Sequence, residues 1–333
     1  VGTLRAGTVP NSGSRLTSTR AVWAGAWEDG CVPVSWARTD GVVSIRPPQQ
    51  GDSARLVAGR DTEFHRFLGP GSDEPDPVAC VTVDGDVVGW VDHDAERSWL
   101  LPGEVNVGYN VFASHRGCGI ASRAVQLLLH HLAITGHCLT ATLLIDPANM
   151  RSQALAVRNR FVRQADLDGN PYYKRSVPPL TYRQGDVTIR RLVRDDLEMD
   201  LSSRDGEHIP GLWRPSEVDR WEAMTPKERR THTLTWLTGV SDSFGTGPRW
   251  TFSIDVMDAT SVGVVEVNLD SDHAPPGDAN ISYWLHPAFR RRGISPVAVG
   301  LALQFLRDHT GARRAHIMVD PTTTPSLTVA TLR

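Results

Sequence analysis

The chain reads as an α/β protein with mixed sheets, written twice. Three observations carry that reading. A glycine turn leaves a strand-like run and opens a helix-like run at Arg116–Ala121 (Arg-Gly-Cys-Gly-Ile-Ala), and again at Arg290–Ser295 (Arg-Arg-Arg-Gly-Ile-Ser). Its surroundings keep the same 174-residue offset: Gly89 and Gly263, Tyr109 and Tyr283, Asp146-Pro147 and Asp320-Pro321, Ser152 and Ser326, Ala156 and Ala330. Upstream the offset is 144, matching Val43–Arg46 to Val187–Arg190, and Asp52, Arg60, Asp61 and Glu63 to Asp196, Arg204, Asp205 and Glu207. The difference of 30 residues is an insertion in the second copy. Similarity at so long a period marks duplicated domains, since solenoid units run to roughly 20–50 residues.

Residues 1–42 belong to neither copy. They are rich in Gly, Ser, Thr and Arg without periodicity, which predicts a flexible N-terminal extension. Trp23, Trp27 and Trp36 are the residues by which it could dock. The first domain is assigned to residues 43–180. Val43–Arg46 predicts a strand, and 52 to about 67 a helix with Asp52 as N-cap. Ala79–Val83 and Val87–Asp92 flank Asp84-Gly85, a hairpin signal. Glu104–Phe112 is the strand entering the loop. Ile120, Ala124, Leu127, Leu128 and Leu132 then form one helical stripe that stops near Gly136. Leu139–Ile145 is a buried strand ended by Asp146-Pro147, Ser152 to about Arg160 a helix, and Phe161–Ala165 with Tyr172–Arg175 close the sheet.

The second domain, residues 181–333, follows a linker near Pro178–Gly185. Its extra stretch after Gly211 carries Trp213, Trp221 and Trp236 and a helical run from about Ser216 to Leu237. Ile294, Val297, Ala298, Leu301 and Phe305 form the stripe of its loop helix. The counterpart of Phe161 would be position 335, so the second sheet is expected to be incomplete at its C-terminal end.

With 333 residues and 40% hydrophobic content, the chain can bury two ordinary cores. A net charge of −3 gives no basic footprint, so no nucleic-acid partner is expected. The four cysteines, Cys31, Cys80, Cys118 and Cys138, lack paired spacing, which argues for a reducing compartment and no metal site. Neither a membrane-length apolar run nor a signal segment is present, which predicts a soluble, cytoplasmic protein with no membrane partner. The oligomeric state is left open.

A glycine turn at a helix N-terminus gathers unbonded N–H groups at the positive end of the helix dipole, which suits a pyrophosphate. In the first copy Arg116–Ala121 is followed by Asn149-Met150-Arg151-Ser152 and the aromatic Phe161. That sequence of loop, Asn-x-x-Ser helix and aromatic resembles the GNAT N-acetyltransferases, and Tyr109 and Ala156 look closest to the branch acting on ribosomal-protein N-termini. The resemblance implies two tandem domains, each a twisted, mostly antiparallel sheet flanked by helices. It implies acetyl-CoA as cosubstrate and direct transfer to a primary amine of a small molecule or protein N-terminus.

Under the same resemblance, the N–H groups over Arg116, Gly117, Cys118, Gly119, Ile120, Ala121 and Ser122 would hold the pyrophosphate. Val111 and Ala113 would offer main-chain groups to the pantetheine arm, with the Val111 N–H near the thioester carbonyl, and Asn149 would contact the cofactor. The attacking amine needs a base, for which Glu104 and Asp92 (Glu266 in the second copy) are candidates. Many relatives protonate the thiolate with a tyrosine at the position of Ala156; here Ser152 is the substitute acid, with helix capping as its competing role.

The first copy keeps Ala121 and Asn149 but lacks the inserted stretch that helps wall the acceptor in relatives. The second has that stretch, but Ser295, Pro296 and Thr323 depart from the pattern. The first copy is therefore expected to hold acetyl-CoA, the second to be degenerate or substrate-shaping. A non-catalytic CoA-binding scaffold is the alternative. Asp92-His93-Asp94 reads as a solvated turn rather than a metal site, and adjacent His130 and His131 point in different directions. Cys118 reads as loop filler, and Arg290–Arg292 is too short to imply nucleic acid. A dinucleotide-binding domain is a poor third option, since Arg116–Ala121 lacks the third glycine in register and neither the first-strand context nor a ribose-binding acid follows, and the P-loop is excluded by the missing Gly-Lys-Ser/Thr.

Overall fold

The computed structural model describes residues 36–136, 138–203 and 215–318. The first half folds as β1 (Arg38–Thr39), β2 (Ser44–Arg46), α1 (Asp52–Ala58), α2 (Thr62–Leu68), β3 (Ala79–Val83), β4 (Asp86–Asp94), β5 (Glu104–Val111), α3 (Ile120–Thr135), β6 (Thr140–Leu144), α4 (Met150–Arg158), β7 (Val162–Arg163) and β8 (Tyr172–Ser176). The second half continues with β9 (Tyr182–Gln184), β10 (Val187–Arg191), α5 (Leu197–Ser203), α6 (Pro215–Ala223), α7 (Pro226–Ser243), β11 (Arg249–Val256), β12 (Ala259–Asn268), β13 (Ala279–Leu285), α8 (Ile294–His309) and β14 (Ala315–His316). The strand orders are β1-β2-β3-β4-β5-β6-β8-β7 and β14-β13-β12-β11-β10-β9. Among the described residues only β5 with β6 and β13 with β14 run parallel.

Both sequence registers have structural causes. Helices α3 and α8 are each 16 residues long and begin 174 apart. Gly89 lies opposite Val111 as Gly263 lies opposite Leu285. A Cβ at either glycine would run into a carbonyl oxygen across the ladder, of Asn110 or Trp284, so neither position admits a side chain. The 144 offset preserves an ion-pair staple. Arg46 grips Asp52 at 2.6 Å while Asp52 accepts the Gln49 N–H; Arg190 grips Asp196 at 2.7 Å while Asp196 accepts the Val193 N–H.

Other elements depart from expectation. The helix from 52 is two short helices: Gly51, at φ 90°, caps α1, and Asp61 caps α2 by accepting the Phe64 N–H at 2.9 Å. Asp52 is not the cap, because its carboxylate is held by Arg46. The expected helix over Ser216–Leu237 is α6 and α7, divided where Thr225 and Glu228 form a reciprocal cap with Pro226 at the first helical position. Trp221 is buried and Trp236 packs against the Leu192–Leu237 cluster, as core residues do. Residues 36–42 are not loose: β1 joins the sheet, Trp36 stacks on His131 at 3.9 Å, and Asp40 takes Arg123 at 2.6 Å. Residues Trp23, Trp27, Trp213, Asp320, Pro321, Thr323, Ser326 and Ala330, and the expected last helix, lie outside the described residues.

Helix α3 carries the first core through Leu127, Leu128, Leu129 and Leu132, all at most 1% exposed. It also packs on α8, joining the two halves. Buried His130 and His309 meet there, Nδ1 to Nδ1, at 2.9 Å. Trp250 Nε1 donates to His130 Nε2 at 3.2 Å, and His309 Nε2 donates to the Pro179 carbonyl at 2.9 Å. Those end partners fix both tautomers: His130 carries its proton on Nδ1 and passes it toward the bare Nδ1 of His309.

Candidate active site

In the first domain β5 and β6 pair only over Glu104–Asn106 with Thr140–Thr142. Beyond that, β6 stays on β8 up to Leu144 while β5 stays on β4 up to Val111, so the two parallel strands part into a fork. The Phe112 N–H bonds the Val88 carbonyl at 2.8 Å, which sets the alternation along β5. Tyr109 and Val111 therefore turn their main-chain groups away from β4, toward the fork. An unpaired strand edge of this kind accepts an extended ligand as it would a strand.

The fork opens onto the glycine loop. Gly117 and Gly119 both have φ 83°, a conformation suited to glycine, and a Cβ on either would meet nothing within 4 Å. Gly119 caps α3 without a side-chain hydrogen bond, so the first-turn N–H groups of Ile120, Ala121 and Ser122 have no side-chain cap. Cys118 is exposed between the glycines. These features fit a pyrophosphate and a pantetheine arm.

Arg116 is placed differently from the expectation of a phosphate ligand. Its Nε donates to the Val111 carbonyl at 2.8 Å, and its Nη atoms bind Asp61 and Glu63 at 2.6 and 2.7 Å. Its own N–H goes to the Ala113 carbonyl at 3.3 Å. The guanidinium thus braces the loop against α2, and it leaves Val111 its N–H as the group facing the fork. Asp61 is held below the usual carboxylate range by that arginine. The second copy repeats the brace, with Arg290 Nε on the Leu285 carbonyl at 3.1 Å. There Arg291 occupies the position of Gly117 at φ 61°, and Pro296 removes the N–H that Ser122 supplies.

Asn149 is the N-cap of α4, its Oδ1 accepting the Ser152 N–H at 3.1 Å. Ser152 therefore uses its main chain for capping and keeps its hydroxyl for something else. That hydroxyl is buried beside the Tyr109 phenol on the face covered by α3 and α4, and neither oxygen makes another hydrogen bond among the described residues. Burial pushes the Tyr109 phenol up.

The opposite face of β4 and β5 holds a cavity of about 450 Å³, floored by Trp90, Asp92, Asn106 and Gly108 and walled by α2 and the segment 71–77. Asp92-His93-Asp94 lies inside β4, not in a turn, because the strand runs on to Asp94. Asp92 accepts the N–H groups of Val78 and His93, and burial raises its carboxyl to about 6. Glu266, the matching residue of the second copy, is also raised by burial but is held by Thr251 at 3.2 Å. Glu104 does not line the cavity. Its oxygens are taken by Lys174 at 2.5 Å and the Leu101 N–H at 3.1 Å, at the closed end of the fork. Both carboxylates are drawn out of water, and partners separate them: Lys174 neutralises Glu104, while Asp92 lines the cavity with no cation on it among the described residues. Among the described residues no cluster could hold a metal ion, and no helix is long and apolar enough to cross a membrane.

Two family matches fall one in each half of the chain. Residues 47–160 match the acetyltransferase (GNAT) family, and residues 187–331 match the acetyltransferase (GNAT) domain. The chain belongs to the GNAT acetyltransferases. It is a tandem GNAT protein, an acetyl-CoA-dependent acyltransferase with a family domain in each half. No curated protein matches it significantly in sequence. Similar solved structures include RimJ of Mycobacterium smegmatis in complex with CoA-disulfide, at 18% identity over 42% of this chain and 85% of that one, with a TM-score of 0.34. An acetyltransferase of the GNAT family from Bacillus anthracis is 14% identical over 42% and 98%, with a TM-score of 0.36. Aminoglycoside acetyltransferase AAC(6')-Ib in complex with coenzyme A is 17% identical over 40% and 94%, with a TM-score of 0.35. The family assignment rests on the two domain matches.

Proposed function

We propose that the first GNAT domain is the transfer site and that it acetylates a primary amine of a small molecule. The observation that carries this reading is the fork of β5 and β6, which runs from an uncapped glycine loop to the strand that floors the Asp92 cavity. Bound acetyl-CoA supplies an activated acetyl group. The first-turn N–H groups of α3 hold its pyrophosphate, and the Val111 N–H polarises the carbonyl that is attacked. Asp92 takes the proton of the amine from one face of the sheet. Ser152, beside Tyr109 on the other face, would give its hydroxyl proton to the departing sulfur and regain one from water as the thiol leaves, while Asp92 releases the amine's proton to solvent. Base and acid thus stand on opposite sides of the fork.

The second domain shapes the assembly without holding the cofactor, because its loop has Arg291 for glycine and Pro296 for a donor. Gly119→Trp and Gly293→Trp place a large side chain at matched positions with φ 83° and 73°, so backbone strain is shared and only blocking differs. Calorimetry is expected to show acetyl-CoA affinity lost in the Gly119 variant alone. Loss in the Gly293 variant, alone or in addition, would overturn the assignment. Ser152→Ala is expected to lower kcat by about 10²-fold without changing acetyl-CoA affinity. An unchanged kcat would remove Ser152 from the chemistry.

A further inference from the structure

We infer that the first-domain cavity takes a small dicationic amine, with Asp92 and the Asn106 side-chain carbonyl receiving the ammonium that reacts and Asp76 at the rim pairing with the second. The inference rests on the transfer site proposed above and names its acceptor class.

Asn106 carries the argument furthest. It lines the cavity, is 3% exposed, and its Oδ1 has no hydrogen-bond partner among the described residues. A buried carbonyl without a donor is costly, and a ligand N–H would recover that cost. Asn106 lies directly across the ladder from Asp94, one pleat from the Asp92–Gly108 pair. With glycine opposite Asp92, no side chain fills that place. Asp92 Oδ1 is satisfied by two N–H groups, and its second oxygen is left for a ligand.

The cations around the cavity are already engaged. Arg97 binds Asp94 at 2.6 Å, and Arg60 donates to the Pro70 and Ser72 carbonyls while lying 5.1 Å over the Phe64 ring. Asp76 is exposed at the rim, has no ion-pair partner among the described residues, and is close enough for its charge to act on Asp92. What remains is a set of acceptors at two depths, Asp92 with Asn106 below and Asp76 above, beside the indole of Trp90. A ligand with donors and positive charge at both ends satisfies that set. A monoamine leaves Asp76 unpaired, and a cavity of about 450 Å³ is the size of a small-molecule site.

The test is calorimetric titration of the full chain with diaminobutane, with butylamine, and with a short peptide bearing a free N-terminus. Diaminobutane is expected to bind about 5- to 10-fold more tightly than butylamine. Asp76→Asn, at an exposed position, is expected to erase that preference by weakening diaminobutane more than butylamine. Asn106→Leu is expected to weaken both amines. Equal binding of the two amines, a preference that survives Asp76→Asn, or tighter binding of the peptide would overturn the inference. Failure here is distinct from failure of the transfer reading. Loss of acetyl-CoA binding in the Gly119 variant alone, with no diamine preference, removes only the acceptor class. Diamine preference with no acetylated diamine by mass removes the transfer reading and keeps the binding site.

Discussion

Replacing Asp92 with asparagine is expected to lower kcat/KM for amine acetylation by about 10²–10⁴-fold, the usual contribution of a positioned general base. The substitution is nearly isosteric, so the Val78 and His93 N–H groups keep an oxygen to bond. What is lost is the ability to accept a proton. The pH profile supplies the more specific test. Burial raises this carboxyl to about 6, and the base must be ionised, so the wild-type rate is expected to fall about tenfold per unit as pH drops below 6. That limb disappears in Asp92→Asn. Stability moves the other way. A carboxyl whose pKa is raised in the fold prefers to be neutral, so its ionisation destabilises the native state above the unfolded pKa. Asp92→Asn is therefore expected to be more stable than wild type at neutral pH. Lost activity with gained stability separates a chemical role from misfolding. Glu104→Gln makes the comparison sharper, since it breaks the Lys174 ion pair and should cost stability while retaining the acid limb. An acid limb that moves in Glu104→Gln and stays in Asp92→Asn would sink this assignment.

The duplication, the hairpin at Asp84-Gly85 and the loop helices were legible because each follows from local chemistry: turn residues, a helical stripe, a glycine that admits no Cβ. Gly89 and Gly263 were visible as a repeat before their cause was, which is the close approach of the neighbouring strand. The site was less legible. Glu104 and Asp92 are equivalent on paper, both acidic and both on strands beside the loop. Only the ladder shows that Lys174, 70 residues away in sequence, neutralises one, while the other floors a cavity. Arg116 misled for a related reason. Its place in the loop suggests an N–H for a phosphate, whereas that N–H goes to the Ala113 carbonyl, and Asp61 and Glu63, more than 50 residues earlier, fix the arginine through its guanidinium. Partners remote in sequence decide what a charged group is for, and no local pattern records them. The joining of the domains was hidden in the same way. Adjacent His130 and His131 do point apart, but nothing local says that one faces His309 and the other Trp36.

Removing one member of that histidine pair is expected to cost about 2–4 kcal/mol of stability, since His130→Phe leaves both Trp250 Nε1 and His309 Nδ1 buried without partners. His309→Phe is expected to cost a similar amount, and the double variant less than the sum, because the two facing Nδ1 groups disappear together while only Trp250 Nε1 and the Pro179 carbonyl stay without their partners. Urea unfolding of the four proteins measures the coupling; additive losses would mean the two rings only fill space. Acid adds an independent signature. Burial lowers both imidazoles, His309 to about 3 and His130 well below its ordinary value. Arg38 and His131 act on His130 in the same direction, as Arg175 does on His309. Each ring is therefore neutral in the fold and protonated in the unfolded chain once pH falls below about 6.5. The native state loses stability through that window by up to about 1.4 kcal/mol per pH unit for His309, down to its folded value near 3. No such loss from this pair occurs above 6.5. A protonated His130 would also turn an N–H toward the Trp250 N–H, so the chain of donors cannot absorb the extra proton by reversing. The double phenylalanine variant should accordingly resist acid better than wild type even though it is less stable at neutral pH. Equal acid slopes for the two proteins would show that the α3–α8 contact does not exclude the proton.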